Sequence, residues 1–198
     1  MKHVLLALAL LLPVAASAQD SWPGLYSVIG VASNDMLNIR TAPDASSDII
    51  GSFGPYQTEI EVTGSDASGK WLRVNTQEQS GWVAARFMAR DEGGDYALGR
   101  TLNCFGTEPF WSLDVIQGAT ATFSRMGEDP QGFRAGLAKR GAGRSDKYIL
   151  GFGQGLMVAS VVECSDGMSD RLYSISADVV MVEKGLNLQS GCCSIQPE

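Results

Sequence analysis

Short runs in which apolar and polar residues alternate dominate the chain from about Trp22 onward. The first half contains LYSVIGV, MLNIR, EIEVTG, KWLRVNT and GWVAARFM, and the second half contains PFWSLDVI, TATFSRM, KYILGF, LMVASVVEC, LYSISADVVMV and LNLQSGCC. Gly, Asp, Asn or Ser bounds most of these runs, and long patterns of period 3.6 are missing. Alternation with a period of two predicts half-buried strands, and the bounding residues predict tight turns. The pattern therefore predicts an all-β protein.

An acidic, glycine-rich string, DEGGDYALG, separates two groups of strands and has no strand pattern of its own. It predicts a linker over residues 91–99, with a first domain at residues 19–90 and a second at residues 100–198. A sheet in a first domain of about 70 residues buries a core only by curling on itself, which predicts a small barrel. The second group of strands predicts a further barrel or a meander.

The first domain contains an ordered series of strand motifs: LNIRTAP, IIGSF, EIEV, GKWLRV and SGWVAARFM. In this order they resemble the bacterial SH3 (SH3b, SH3 type 3) domain, with its L-N-x-R strand, proline-bearing loop, and later G-x-W and G-W-V strands. The matching positions are Leu37, Asn38, Ile39, Arg40, Pro43, Ile50, Gly51, Ile60, Val62, Gly69, Trp71, Val74, Gly81, Trp82, Val83 and Phe87. The resemblance implies a small barrel that binds a ligand without catalysis, since several such domains bind peptidoglycan or its peptide stems.

The candidate ligand-binding residues of this domain are Asn38, Arg40, Tyr56 and Trp71. Aromatic side chains offer a large contact area at low entropic cost, which suits a peptide groove. The alternative for Asn38 and Arg40 is structural, with hydrogen bonds to a turn or a pairing with Asp35 or Asp44. Trp82 is a further aromatic near the groove, but we assign it to the core because large aromatics usually fill small barrels.

The second domain opens with LNCFGTEPFWSLDV and later contains CSDGMSDRLY and LNLQSGCC. These strings resemble exported bacterial proteins of unassigned activity that are loosely similar to META/HslJ-like β-barrel domains. The matching positions are Cys104, Gly106, Thr107, Glu108, Pro109, Phe110, Trp111, Cys164, Asp166, Met168, Ser169, Tyr173, Gly191 and Cys192. The resemblance implies a fold and a compartment and assigns no reaction. We place Trp111 in the core of this domain.

The N-terminus begins with a lysine, continues with an apolar run from Val4 to Leu12, and reaches the small residues Ala16-Ser17-Ala18. This pattern predicts a signal peptide at residues 1–18, cleaved after Ala18, and a periplasmic or secreted protein. The apolar run is shorter than the ~20 residues of a membrane-spanning helix. His3, the one histidine of the chain, is removed with the signal. The mature protein then has no Ser-His-Asp or Cys-His mechanism, and we expect no metal or other cofactor.

Four cysteines, all in the second domain, are predicted to form disulfides: Cys104, Cys164, Cys192 and Cys193. An even number in an exported chain favours this chemistry, and no C-x-x-C spacing indicates a metal site. Three pairings are open. We favour Cys104 with one member of the adjacent pair and Cys164 with the other.

The negative net charge of the chain limits the kinds of molecule that it is expected to bind. The net charge of −7 becomes −8 when Lys2 is removed with the signal, which argues against nucleic acid and anionic membranes as general partners. Residues 134–147 hold five of the cations and are predicted to form a mobile, solvated loop, the alternative being attraction to anionic envelope polymers.

Glu108, Asp166 and Asp170 are candidate carboxylates of a histidine-free hydrolase, but their spacing forms no motif and we expect no enzyme.

Two functional hypotheses follow. In the first, the chain is a non-catalytic envelope protein whose SH3b domain binds peptidoglycan, a peptide stem or an envelope protein. In the second, it is a periplasmic inhibitor or stress-protective partner of a cell-wall-degrading enzyme, and the GTEPFW string exposes an aromatic anchor.

Overall fold

The computed structural model describes residues 22–92, 97–182 and 187–196. Within these ranges sixteen β-strands form two sheets of seven and nine strands, which confirms the all-β prediction. A single 3-10 turn at Ala85–Phe87 is the helical element of this part of the chain. None of its helices is long and apolar enough to cross a membrane. The predicted signal peptide and residues 93–96 of the predicted linker lie outside the described residues.

The first sheet is antiparallel and curls around its own core. Its strands are β1 (Gly24–Val28), β2 (Leu37–Arg40), β3 (Ile49–Phe53), β4 (Ile60–Ser65), β5 (Trp71–Thr76), β6 (Gln79–Ala84) and β7 (Met88–Arg90). They lie side by side in the order β3-β2-β6-β5-β4-β1-β7. Alternation in β2 buries Leu37 and Ile39 in this core and leaves Asn38 and Arg40 on the other face, as predicted.

The second sheet is built from nine strands in the order β11-β10-β9-β8-β16-β15-β14-β13-β12. Their bounds are β8 (Thr101–Thr107), β9 (Phe110–Ile116), β10 (Thr120–Arg125), β11 (Gln131–Arg134), β12 (Lys139–Arg140), β13 (Lys147–Phe152), β14 (Gly155–Ser165), β15 (Leu172–Met181) and β16 (Asn187–Ser194). The chain between β11 and β12 also pairs with β13, because Ala135 bridges Phe152. The sheet therefore curls until its two ends meet around the larger core.

Both disulfides join strands of the second sheet. Cys104 on β8 is bonded to Cys193 on β16, directly opposite in register, and Cys164 on β14 is bonded to Cys192. This is one of the pairings favoured from the sequence. No free cysteine remains in the described residues, and such cross-links suit a protein of an oxidising compartment.

The basic segment at residues 134–147 is more ordered than a mobile loop. Lys139–Arg140 forms strand β12 against β13, and the guanidinium of Arg144 pairs with both carboxylate oxygens of Asp146 at 2.9 and 2.7 Å. The prediction was wrong because the free edge of β13 offers backbone partners, which a reading of charge and glycine content does not consider.

Backbone hydrogen bonds connect the two sheets. The N–H of Ser80 donates to the carbonyl of Asp170 at 3.1 Å, and the N–H of Asp170 donates to the carbonyl of Glu78 at 2.8 Å. Beside them the carboxamide of Asn75 donates to the carbonyl of Leu172 at 3.1 Å and accepts from its N–H at 3.3 Å. The hairpin between β5 and β6 is therefore held directly by the segment that enters β15.

A carboxyl group is buried in the same interface. Glu61 on β4 is 5% exposed, and it accepts hydrogen bonds from the hydroxyl of Ser194 and, at 3.1 Å, from the N–H of Ile195. Removal from water raises the pKa of Glu61 to about 7, although both hydrogen bonds act in the opposite direction. The charge of this interface therefore changes near neutral pH.

Candidate functional site

Three side chains lie in one row across the outer face of the first sheet. Arg40 on β2 is directly opposite Trp82 on β6, and Trp82 is directly opposite Arg73 on β5. Directly opposed residues project from the same face of a sheet. Trp71, two residues before Arg73, shares that face and is the diagonal neighbour of Trp82. Two tryptophans therefore lie together on the side of the sheet that faces away from its core.

The assignment of Trp82 to the core was wrong. Its neighbours Gly81 and Val83 are buried, whereas Trp82 itself is only partly buried and does not belong to the core cluster. The period of two along β6 places Val83, at 0% exposure, inside the barrel and so directs Trp82 outward. Strand alternation here outweighs the general preference of large aromatics for the interior.

Gly81 allows β2 to approach β6 closely enough for this row to form. A Cβ atom at position 81 would lie 2.5 Å from Cγ2 of Ile39 and 3.1 Å from the carbonyl oxygen of Arg40. These separations are shorter than van der Waals contact, and one of the two atoms belongs to the backbone. The absence of a side chain at position 81 therefore determines how closely the strand that carries Arg40 packs.

Gly81→Ala is expected to lower the free energy of unfolding by about 1–3 kcal/mol, the usual effect of overpacking a core. Gly54→Ala is the matched control, because no atom lies within 4 Å of its Cβ position. Urea denaturation of the two variants and the wild type measures the difference. Equal unfolding midpoints for both variants would contradict the close approach.

The polar groups beside the two tryptophans differ in how they are engaged. Nη1 of Arg40 donates to the carbonyl of Ser47 at 2.6 Å, so a turn backbone holds its guanidinium. The N–H and hydroxyl of Ser46 lower the pKa of Asp44, and the charge of Arg40 is a smaller cause. Within the described ranges the side chains of Asn38, Trp71 and Trp82 have no hydrogen-bond partner. Their donors and acceptors therefore remain available to a ligand.

Arg73 lies at the end of this row of side chains, and its guanidinium is already bound by other residues of the protein. Its Nη1 pairs with Glu163 of the second sheet at 2.7 Å, and its Nε donates to the hydroxyl of Thr63 at 3.1 Å. We call the remaining set, Asn38, Arg40, Trp71 and Trp82, the tryptophan face. It contains three of the four residues predicted for ligand binding, together with Trp82.

Tyr56, the fourth predicted residue, lies elsewhere. It is 74% exposed in the turn between β3 and β4, which the N–H of Gln57 closes by donating to the carbonyl of Gly54 at 3.2 Å. This turn belongs to none of the strands β2, β5 and β6. The set of candidates chosen from the sequence therefore combined residues that the sheet separates.

Of the three carboxylates considered for hydrolysis, Asp166 has structural partners, whereas Glu108 is exposed. Asp166 accepts hydrogen bonds from the N–H groups of Met168 and Ser169 and from the Ser169 hydroxyl. Burial opposes the effect, but these bonds together lower the pKa of Asp166. The backbone N–H and carbonyl of Asp170 form the hydrogen bonds to Glu78 and Ser80 of the first sheet. In the described part of the chain no group of His, Cys, Asp and Glu side chains is arranged to hold a metal ion.

The aromatic string of the second domain is divided between core and surface. Trp111 is 4% exposed within the core, as assigned from the sequence, and Phe110 beside it is 45% exposed. The larger of the two aromatic rings is therefore not available as an anchor for a partner enzyme.

Among the described residues, cavities of about 780, 340 and 320 Å³ lie between the two sheets. Residues of both sheets line each of them, and no residue of the tryptophan face takes part. The tryptophan face therefore lies apart from these cavities.

Residues 35–89 match the family of the bacterial SH3 domain. The match runs from the residues before β2 into β7, so this SH3 domain contains the whole tryptophan face. Strand β1 and the second sheet lie outside it, and the resemblance of the second domain to META/HslJ-like barrels stays a prediction. No curated protein and no solved structure matches the chain.

Proposed function

We propose that the protein is an exported, non-catalytic envelope protein whose bacterial SH3 domain binds peptidoglycan or a peptide through the tryptophan face. Bacterial SH3 domains bind ligands of these two kinds. The observation that carries the proposal is the register that places Trp82 between Arg40 and Arg73, with Trp71 diagonal to it. Two indole rings and a carboxamide without protein partners give this face its binding capacity.

The chemistry of the face suits sugar–peptide polymers. Indole rings offer flat apolar surfaces for the faces of sugars or for apolar side chains, and their N–H groups donate hydrogen bonds. The carboxamide of Asn38 both donates and accepts, which matches the amide groups of a peptide. Arg40, already fixed on the Ser47 carbonyl, has further N–H groups for a carboxylate of a peptide stem.

Export and the lack of catalysis belong to the same proposal. Export is supported by the N-terminal pattern of charge, apolar run and small residues and by the two disulfides. A binding role without catalysis is supported by the use of the Asp166 carboxylate as a turn cap. Incubation of the protein with purified cell-wall sacculi should accordingly release no soluble fragments, and a steady release would show catalysis.

Co-sedimentation with sacculi tests the binding role. The wild-type protein is expected to pellet with sacculi, and Trp71→Ala and Trp82→Ala are each expected to weaken binding about tenfold, as for residues at the centre of an interface. Tyr56→Ala is the matched control, because it removes an exposed aromatic that is not on the face. Circular dichroism and urea midpoints establish that the variants are folded.

Two outcomes would overturn this assignment. If folded wild-type protein stays in the supernatant and also fails to bind soluble stem peptides, the SH3 domain has another ligand. If Tyr56→Ala weakens binding and folded Trp82→Ala does not, the binding surface lies at the β3–β4 turn instead.

A further inference from the structure

The largest of the three cavities has the size of a small-molecule site. Its volume of about 780 Å³ lies within the ~300–1,000 Å³ typical of ligand pockets. It lies where the start of β1 and the end of β7 meet the second sheet around β12 to β14. Interfaces between domains are a common location for such sites.

The inner wall of this cavity is apolar and well supported. Tyr148 is 6% exposed, and Leu98 and Ile195 belong with it to the core cluster of the second sheet. From the first sheet, Leu25 packs against that same cluster, and the ring of Trp22 stacks on Tyr26 with 6.2 Å between centroids. An apolar or aromatic group is therefore able to enter between Trp22 and Tyr148 against side chains that are already fixed.

Exposed cations mark the other side of the cavity. Arg100 and Arg140 line it and are exposed. One N–H of Arg140 donates to the hydroxyl of Tyr148 at 3.2 Å, and its Cζ lies 5.6 Å from the centre of that ring. Neither arginine forms an ion pair within residues 22–92, 97–182 and 187–196. Most of their N–H groups thus remain available for an anion.

Three acidic residues line the cavity, and one of them is paired with an arginine outside it. Asp146 is paired with Arg144, which does not line the cavity, and Asp91 accepts a hydrogen bond from the hydroxyl of Ser27 at 2.6 Å. Glu92 is the remaining acid of the lining. Arg90 also lines the cavity, so with Arg144 counted against Asp146 four arginines stand against three acids. The cavity therefore combines an apolar interior with one positive charge in excess.

We propose that this cavity binds a small organic carboxylate with an aromatic or aliphatic body. The body lies between Trp22 and Tyr148, and the carboxylate accepts hydrogen bonds from Arg100 and Arg140. Arginine suits this role because its planar group matches both oxygens of a carboxylate. The site is separate from the tryptophan face, so the protein has a second ligand besides its wall polymer.

Fluorescence titration of the purified protein, with both domains present, tests the site with dansylglycine as the probe. Saturable binding in the micromolar range is expected, and the neutral dansylglycinamide is expected to bind at least tenfold more weakly. Arg100→Gln and Arg140→Gln should each raise the Kd about tenfold, since a hydrogen bond to a charged group has been removed. Arg134→Gln is the control, because this exposed arginine of β11 is not part of the lining.

Unlabelled competitors identify the kind of carboxylate. Displacement by hippurate but not by tetraalanine assigns a small free acid, and displacement by both extends the site to the carboxylate at a peptide end. Absence of saturable binding, equal affinity for the neutral amide, or an unchanged Kd in both folded arginine variants would overturn the proposal. Sacculus binding should be unaltered in Arg140→Gln, so the two sites are tested independently.

Discussion

Replacing both Cys104 and Cys193 by alanine is expected to lower the free energy of unfolding by about 4–5 kcal/mol. This disulfide spans 89 residues of the sequence, and opening it gives the unfolded chain the freedom of a long loop. It also removes the sulfur atoms of two side chains that are 1% and 0% exposed, within the core of the second sheet. Urea denaturation at pH 7 under non-reducing conditions measures the loss.

The second disulfide is the internal control for this effect. Cys164 and Cys192 close a separation of only 28 residues, so their replacement by alanine should lower stability by about 3–4 kcal/mol in the same entropic treatment. A larger loss for this pair than for Cys104 and Cys193 would show that packing, and not loop closure, determines the stabilisation.

Glu61→Gln is expected to stabilise the protein at pH 8.5 by up to about 3 kcal/mol and to change little at pH 4.5. The folded-state pKa of Glu61, about 7, lies above the ordinary value of 4.5, so the folded state binds the proton more tightly than the unfolded state. The corresponding stabilisation is complete below pH 4.5 and is lost as the pH rises through 7. A difference of roughly 2.5 pKa units corresponds to about 3 kcal/mol.

Glutamine keeps the shape of the side chain and removes its ionisation. Its carboxamide is able to accept from the N–H of Ile195 and to donate to the hydroxyl of Ser194. Tyr173 and Arg171 line the 320 Å³ cavity beside Glu61 and stay unaltered in the variant. The control is Glu163→Gln, since Glu163 has a side chain that is 59% exposed. Wild-type stability that is flat between pH 5 and 8.5 would contradict the burial of an ionisable group.

The sequence contains enough information to predict each sheet by itself. Alternation and turn residues identify most strands, and the order of motifs from Leu37 to Phe87 identifies the SH3 domain. The same alternation predicts an outward Trp82, because Val83 faces the core in the G-W-V strand. Giving the size of the aromatic ring more weight than its position in the strand led to the wrong assignment.

Contacts between the sheets could not be predicted in this way. In β4 four successive residues from Ile60 to Thr63 are buried, although the string alternates between apolar and polar. The second burying surface comes from Ser194 and Ile195, more than 130 positions later in the chain. A pattern of neighbouring residues in the sequence cannot predict a contact between residues so far apart in the chain. Arg140 belongs to strand β12 and also lines a cavity. Its place in the cavity likewise depends on where β12 meets the first sheet.

The backbone pairing of Asp170 with Glu78 and Ser80 has a consequence for how such proteins are recombined. A foreign SH3 domain grafted onto this second domain would need a glutamate or a glutamine at position 61 to contact Ser194, and an asparagine at position 75 to contact Leu172. Chimeras should therefore be designed around the hairpin of β5 and β6 as well as the linker.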